Sequence, residues 1–529
     1  MTRYAMAADL DRCVGCQTCT AACRHANATS PAVQWRKVLD LELGTYPNVS
    51  RTFVPVGCQH CEDPPCMHVC PTTATRKRAD GIVTIDYDLC IGCAYCDVAC
   101  PYQARFKVSS PRFAYGASPM QNEALRDDPR RIGVAQKCTF CVDRIDAGLA
   151  AGRVPGVDAE ATPACVNACI ADALSFGDLD DPDSNVSRLL RDQLHFRMHE
   201  ELGTAPNFYY VYDKAARRPS TEPGSGPQTA GLSAKGVAPW HQQHWDWKAA
   251  ANFLLGGAGS GLLVLATAMV PARAPFAALA LASLALVALG LSVLMFKIGR
   301  PLRFLYVLRQ PQRSWMSREA WIAAFLFPVA LAALLLDSAP LAGLAALLAL
   351  AFQIAQAMIV NASKGIPAWR APRLAALMAS TGLAEGAGLL ALFAAAAPLG
   401  PVVLDPAVAL AALVAVRGFA WRGYLLGLES AGAPLRSLEV LRRFGRHFVS
   451  WGIAVPIALA VLSLALPQAA APLLALAGLS ALVPGWAMKF VLITRAGHNQ
   501  GYALHRVAAS GVAGPAIRPG WAPPAARLQ

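Results

Sequence analysis

Sixteen cysteines, all within the first 169 residues of a 529-residue chain, are the side chains best equipped for chemistry. They form four groups of four. Cys13, Cys16, Cys19 and Cys23 are spaced C-x2-C-x2-C-x3-C, and Cys90, Cys93, Cys96 and Cys100 repeat that spacing. Cys58, Cys61, Cys66 and Cys70 are spaced C-x2-C-x4-C-x3-C, and in the last group, Cys138, Cys141, Cys165 and Cys169, 23 residues part the middle pair. A tight thiolate triplet wraps three corners of an iron-sulfur cube, and the fourth Cys, with Pro after it, reaches the other cube of a pair. Pro71 and Pro101 follow Cys70 and Cys100. The quartets are therefore expected to exchange members. Cys58, Cys61 and Cys66 join Cys100; Cys90, Cys93 and Cys96 join Cys70; Cys13, Cys16 and Cys19 join Cys169; Cys138, Cys141 and Cys165 join Cys23. This uses every thiol, predicting four [4Fe–4S] clusters and no [3Fe–4S] site. Zinc takes two ligand pairs and leaves the triplets unexplained. Eight disulfides would suit an exported protein, but MTRYAMAADLDRC shows no apolar or twin-arginine leader ahead of Cys13.

The segments that hold these groups differ sharply in composition. The chain is 55% hydrophobic and 15% charged, with a mean hydropathy of +0.37. Soluble proteins carry about 25% charged residues, so a purely soluble or a disordered protein is excluded. Residues 1–249 net −2 and residues 250–529 net +15. The basic excess belongs to the apolar half, which points to membrane-surface loops and away from nucleic acid. We expect a cluster domain over 1–218, a Gly/Ser/Pro-rich linker with an interfacial Trp segment over 219–247, a membrane bundle over 248–496 and a cytoplasmic tail over 497–529. Trp240, Trp245 and Trp247 read as an aromatic belt. Eight apolar spans follow, at 250–270, 275–296, 320–337, 341–361, 374–396, 402–426, 448–467 and 471–494.

Loop charge predicts orientation. Lys297, Arg300, Arg303, Arg309, Arg313 and Arg318 follow span two; Lys364, Arg370 and Arg373 follow span four; Arg436, Arg442, Arg443 and Arg446 follow span six; Arg495, Arg506, Arg518 and Arg527 lie beyond span eight. The opposite side has Arg273 with Asp337 and Asp405. The positive-inside rule puts the cluster domain and both termini in the cytoplasm of a bacterial inner-membrane protein.

The motifs CVGCQTCTAAC, CQHCEDPPCMHVCP, CIGCAYCDVACPY and KCTFCVDR resemble the four-cluster electron-transfer subunit of the dimethyl sulfoxide reductase family over nearly all of residues 1–215. The fold implied is an α+β ferredoxin-like double domain followed by an all-α eight-helix transmembrane bundle. The stretch FKIGRPLRFLYVLRQPQRSWMSREAW resembles the loop after helix two of the DmsC-type quinone-reactive anchor, with Lys297 where that family usually has His. The resemblance implies a separate molybdopterin catalytic partner, membrane lipid and quinone as further partners, and electron relay between them. The cytoplasmic orientation, with STGLAEGAGLL and MKFVLITRAGHNQGYAL, is similar to the Soe-type sulfite dehydrogenase branch. Sulfite oxidation with quinone reduction is thus expected. The alternatives are an S- or N-oxide reductase drawing on quinol, a relay of a hydrogenase- or formate-type complex, and a membrane redox scaffold without a quinone site.

Within the spans, Glu385 and Arg417 fall at similar depth and are expected to pair, since a lone charge there is costly. They line either a quinone pocket with Lys297 and Arg300 or a proton path to it, or else form a structural salt bridge. Lys489 reads as able to snorkel to the interface.

Overall fold

A computed structural model describes residues 2–31, 33–45, 48–125, 127–212 and 239–502. The linker up to residue 238 and the tail from 503, with Arg506, Arg518 and Arg527, lie outside the described residues.

The first half is α+β. β1 (Tyr4–Asp9), whose six residues are all buried, lies between β8 (Leu174–Asp178) and β10 (Phe208–Tyr212), with β9 (Leu194–Phe196) at the edge. β1 runs parallel to β10 and antiparallel to β8. Side chains alternate across a strand. Tyr4, Met6 and Ala8 therefore face the core that holds the thiols, while Ala5 and Ala7 pack on Val186 of α7 (Asn185–Asp192). Three two-stranded ribbons complete the domain: β2 (Arg36–Thr45) with β3 (Asn48–Gly57), β4 (Thr75–Lys77) with β5 (Val83–Ile85), and β6 (Phe106–Lys107) with β7 (Ala135–Gln136). The helices are short: α1 (Thr18–Asn27), α2 (Pro65–His68), α3 (Tyr95–Ala99), α4 (Gln121–Ala124), α5 (Val142–Ala150) and α6 (Ala164–Asn167). α1, α2, α3 and α6 each carry a third cysteine of a group: Cys19, Cys66, Cys96 and Cys165.

The second half is helical, with eight segments among the described residues long and apolar enough to cross a membrane. They are α8 (Trp247–Met269), α9 (Arg273–Met295), α10 (Trp315–Leu335), α11 (Ala339–Asn361), α13 (Leu374–Ala396), α14 (Pro406–Leu428), α15 (Leu435–Val449) continuing into α16 (Val455–Ala465), and α17 (Ala470–Thr494). The short α12 (Pro367–Arg370) caps the cluster side. At 1.5 Å per residue a 23-residue helix is about 34 Å long, enough for a hydrocarbon core of about 30 Å. Two boundaries depart from expectation. Span three begins at Trp315, because Ser317 and Glu319 are buried among neighbouring helices. Span seven begins at Leu435, so the arginines read as a loop lie on α15, which joins α16 through a π turn at Ser450–Ala454.

The halves share one core, in which Cys66, Cys70, Cys90 and Cys96 pack with Trp245, Phe253, Trp369 and Tyr424. The loop after α9 grips the cluster domain. Arg300 donates its backbone N–H to the Ile91 carbonyl (3.1 Å) and its guanidinium to Ile132 and Pro129 (both 3.1 Å). Arg303 donates to the Tyr87 carbonyl (2.8 Å), and Ser314 to that of Val69 (2.8 Å). Gly299 makes this possible: a Cβ there would stand 1.8 Å from the Gly133 carbonyl oxygen. The aromatic-belt expectation needs correction. Trp247 is exposed, but Trp245 is buried against Tyr95, Phe253 and Trp369, and Trp240 lies under Lys37. These two tryptophans join the halves.

Candidate metal centres

All four C-x2-C loops turn the same way. The residue before the second cysteine is left-handed in each: Gly15 (φ 70°), His60 (40°), Gly92 (70°) and Phe140 (55°). Such a turn folds the loop around a centre and aims backbone N–H groups inward. Two of the four are not glycine, and that strain costs roughly 1–2 kcal/mol per residue. Packing holds it: the buried His60 and Phe140 rings stack at 3.6 Å, and the Val83 N–H donates to His60 Nδ1 (3.1 Å).

The fold brings thiols of different sequence groups together. Cys169 lies with Cys13, Cys16 and Cys19; Cys23 with Cys138, Cys141 and Cys165; Cys100 with Cys58, Cys61 and Cys66; Cys70 with Cys90, Cys93 and Cys96. Cys13, Cys16, Cys19 and Cys169 line one shared pocket. Backbone N–H groups point at the sulfurs: Ala173 at Cys169 (3.2 Å), Phe140 at Cys138 (3.4 Å) and Thr75 at Cys70 (3.5 Å).

The electrostatics ask for an anionic guest. Burial pushes the Cys93, Cys138 and Cys165 thiols up to about 11 and that of Cys100 to about 12. Arg36, Arg105 and Lys137 are buried among these thiols. Among the described residues none of the three forms an ion pair with a carboxylate, although Arg105 donates to Cys66 Sγ at 2.7 Å. An unpaired buried cation is costly, and a thiolate-ligated cluster carries the compensating negative charge. Residues and guest therefore fit.

The residues expected at a quinone site occupy separate places. The Lys297 ammonium lies 4.4 Å over the Trp245 ring. Burial, with Lys107 beside it, lowers its pKa to about 7 despite the opposing pull of Cys93. Arg300 faces the cluster-domain carbonyls instead. Glu385 and Arg417 lie about 16 Å in from the cluster-side ends of α13 and α14, near mid-bilayer. Their expected pairing is corrected: Glu385 pairs with Lys489 at 2.5 Å, and Lys489 is 1% exposed, so it does not snorkel. Arg417 donates to the carbonyls of Ala481 (2.8 Å) and Gly452 and lies against the Phe448 ring. Pro456 has no N–H to return to the Gly452 carbonyl four residues earlier, so Arg417 supplies the missing donor. All three charged groups still crowd Gly485 and Gly257.

Glu319 lies one residue ahead of the expected start of span three and is buried on α10. Its carboxylate accepts from Asn252 (3.2 Å) and Gln356 (3.1 Å). Arg36, Arg105 and Lys137 were missed as well; the signal, cations set among apolar residues of a cysteine-rich domain, is weak. His68 pairs with Asp63, Lys77 with Glu62 and Arg78 with Asp146, all near the surface.

Residues 49–115 match the 4Fe-4S dicluster domain family. The B subunit of the selenate reductase of Mesobacillus selenatarsenatis is 40% identical over 225 residues, which cover 40% of this chain and 72% of that protein. The chain belongs to the family of iron-sulfur B subunits of such oxidoreductases. Other members are the B subunit of the sulfite dehydrogenase of Allochromatium vinosum (37% identical over 234 residues, 41% of this chain and 86% of that one) and the arsenate respiratory reductase iron-sulfur subunit of a Shewanella strain (35% over 238 residues, 40% and 96%). These relatives match about two fifths of the chain, and the eight long apolar helices fit an anchor fused to such an iron-sulfur protein.

Proposed function

We propose that this chain is the electron-relay and anchor subunit of a molybdopterin oxidoreductase. It carries electrons between a separate catalytic subunit and membrane quinone. The observation that carries the reading is the exchange of thiols into four quartets, the last of them packed into the membrane core. When bound, cubanes supply one-electron transfer. The chain holds each in a left-handed loop, buries the inner three quartets more deeply than the first and fixes the distance from each to the next. Cys16 is exposed, with Val14 and Ile170 exposed near it, and offers the face for the catalytic partner. At the other end Tyr95, between Cys93 and Glu319, donates to the Ile359 carbonyl (2.7 Å). Tyr95, Trp245 and Lys297 form the quinone-facing end, and Glu385, Lys489 and Arg417 hold a proton reserve deeper in the bundle.

The cationic rim on the cluster side favours a cytoplasmic cluster domain, and with it sulfite oxidation coupled to quinone reduction. Membranes containing the complex are expected to reduce quinone on addition of sulfite. A complex inert to sulfite overturns this substrate. The similarity to a selenate reductase protein favours a second reading, in which quinol drives reduction of an oxyanion or S-oxide. Quinol oxidation dependent on selenate or dimethyl sulfoxide, with none of the reverse reaction, selects it. A Glu385→Gln variant should slow quinone turnover; unchanged turnover removes the proton role.

A further inference from the structure

The buried cations are not scattered through the cluster domain. Arg36 lies among Cys19, on the first quartet, and Cys138, Cys165 and Cys23, on the second. Lys137 lies among Cys138, on the second, and Cys58 and Cys66, on the third. Arg105 lies among Cys66, Cys58 and Cys100, on the third, and Cys96, on the fourth. Each junction along the row thus holds one cation. The three side chains are 1%, 0% and 3% exposed. Their polar bonds go to neutral or sulfur acceptors. Arg36 donates to Met6 Sδ (2.9 Å), with Nε and Nη1 unpartnered. Lys137 donates to the Cys138 carbonyl (2.6 Å) and to that of Val83. Arg105 donates to Thr75 Oγ1 (3.2 Å) and Cys66 Sγ (2.7 Å). Arg78, nearer the surface, pairs instead with a carboxylate, Asp146 at 2.7 Å.

We propose that Arg36, Lys137 and Arg105 are inter-cluster positioning residues for charge. Each serves two neighbouring centres at once, stabilising the added electron on whichever of the two holds it and keeping their potentials close. In a low-dielectric interior a charge acts strongly on near neighbours, and more weakly with distance. The effect of each cation should therefore be confined to its own pair of centres. This inference rests on the reading that the quartets hold cubanes, and iron content of the unaltered protein tests that reading separately.

The test is a redox titration of the full-length protein followed by electron paramagnetic resonance, with iron counted in each variant. Arg105→Gln should lower the potentials of the third and fourth centres and leave the first two unchanged. Arg36→Gln should lower those of the first and second, and Lys137→Gln those of the second and third. Arg105→Lys should restore most of the shift, which lost packing alone would not predict. Should a neutral variant lose iron, loss confined to its two flanking centres, with iron retained in the charge-conserving variant, supports the proposal. Unchanged potentials, equal shifts of all four centres, or iron loss from all four overturn it.

Discussion

Removing Glu385 strands Lys489 as a buried charge without its partner. Breaking a buried pair from one side costs about 3–5 kcal/mol, whereas replacing both members with apolar groups is often near neutral. Glu385→Ala should therefore lower the thermal midpoint clearly in detergent, and Glu385→Ala with Lys489→Met should recover most of the loss. Equal losses in the single and double variants would show that the ion pair is not what holds α13 to α17. Arg417 should tolerate loss of Glu385 better, because its guanidinium is held by the Ala481 and Gly452 carbonyls. This is where the sequence was legible in part only. Intramembrane charge announced Glu385 and Arg417, and depth arithmetic put them level. Which cation meets the carboxylate depends on the rotation of α17 against α13, and one-dimensional spacing does not carry that. The cysteine groups were legible because their spacing is local and repeated, and the Cys–Pro steps after Cys70 and Cys100 pointed to an exchange between two of the groups.

Among the elements, the loop between α9 and α10 does the docking. Gly92 and Gly299 both approach the Gly133 carbonyl oxygen, where a Cβ on either would stand 1.8 Å away. Gly299→Ala must push the loop off the cluster domain. Overpacking costs about 1–3 kcal/mol, and the variant should be cut faster by protease in the 297–314 loop. Unaltered cleavage would mean that the close approach of Gly299 to Gly133 does not hold the junction. The positive-inside count anticipated this loop as a membrane-surface strip, and its hydropathy gave no hint that Arg300 and Arg303 are spent on carbonyls of the cluster domain. The eight spans were legible from length and apolarity. The start of span seven was not, because α15 is amphipathic and its arginines resemble a loop until Leu438, Leu441 and Phe448 are seen buried along one side.

At the scale of the whole molecule, fusion fixes the last quartet against the bundle. The ends of α8 and α17 leave the membrane together, where the Gln242 N–H donates to the Gly497 carbonyl (2.9 Å) and that of Asn499 to the Trp240 carbonyl (3.0 Å). Tyr502 then enters the core of the cluster domain. Protease added outside intact cells should leave the amino-terminal half uncut, and inverted vesicles should expose it; the opposite pattern would refute the cytoplasmic orientation and the sulfite reading with it. The central claim is the row of four cubes, and the metal content of the purified full-length protein tests it most directly. Four cubes predict about sixteen irons with matching acid-labile sulfide per chain. Zinc in place of iron, or about half that iron in a fully folded chain, would contradict it.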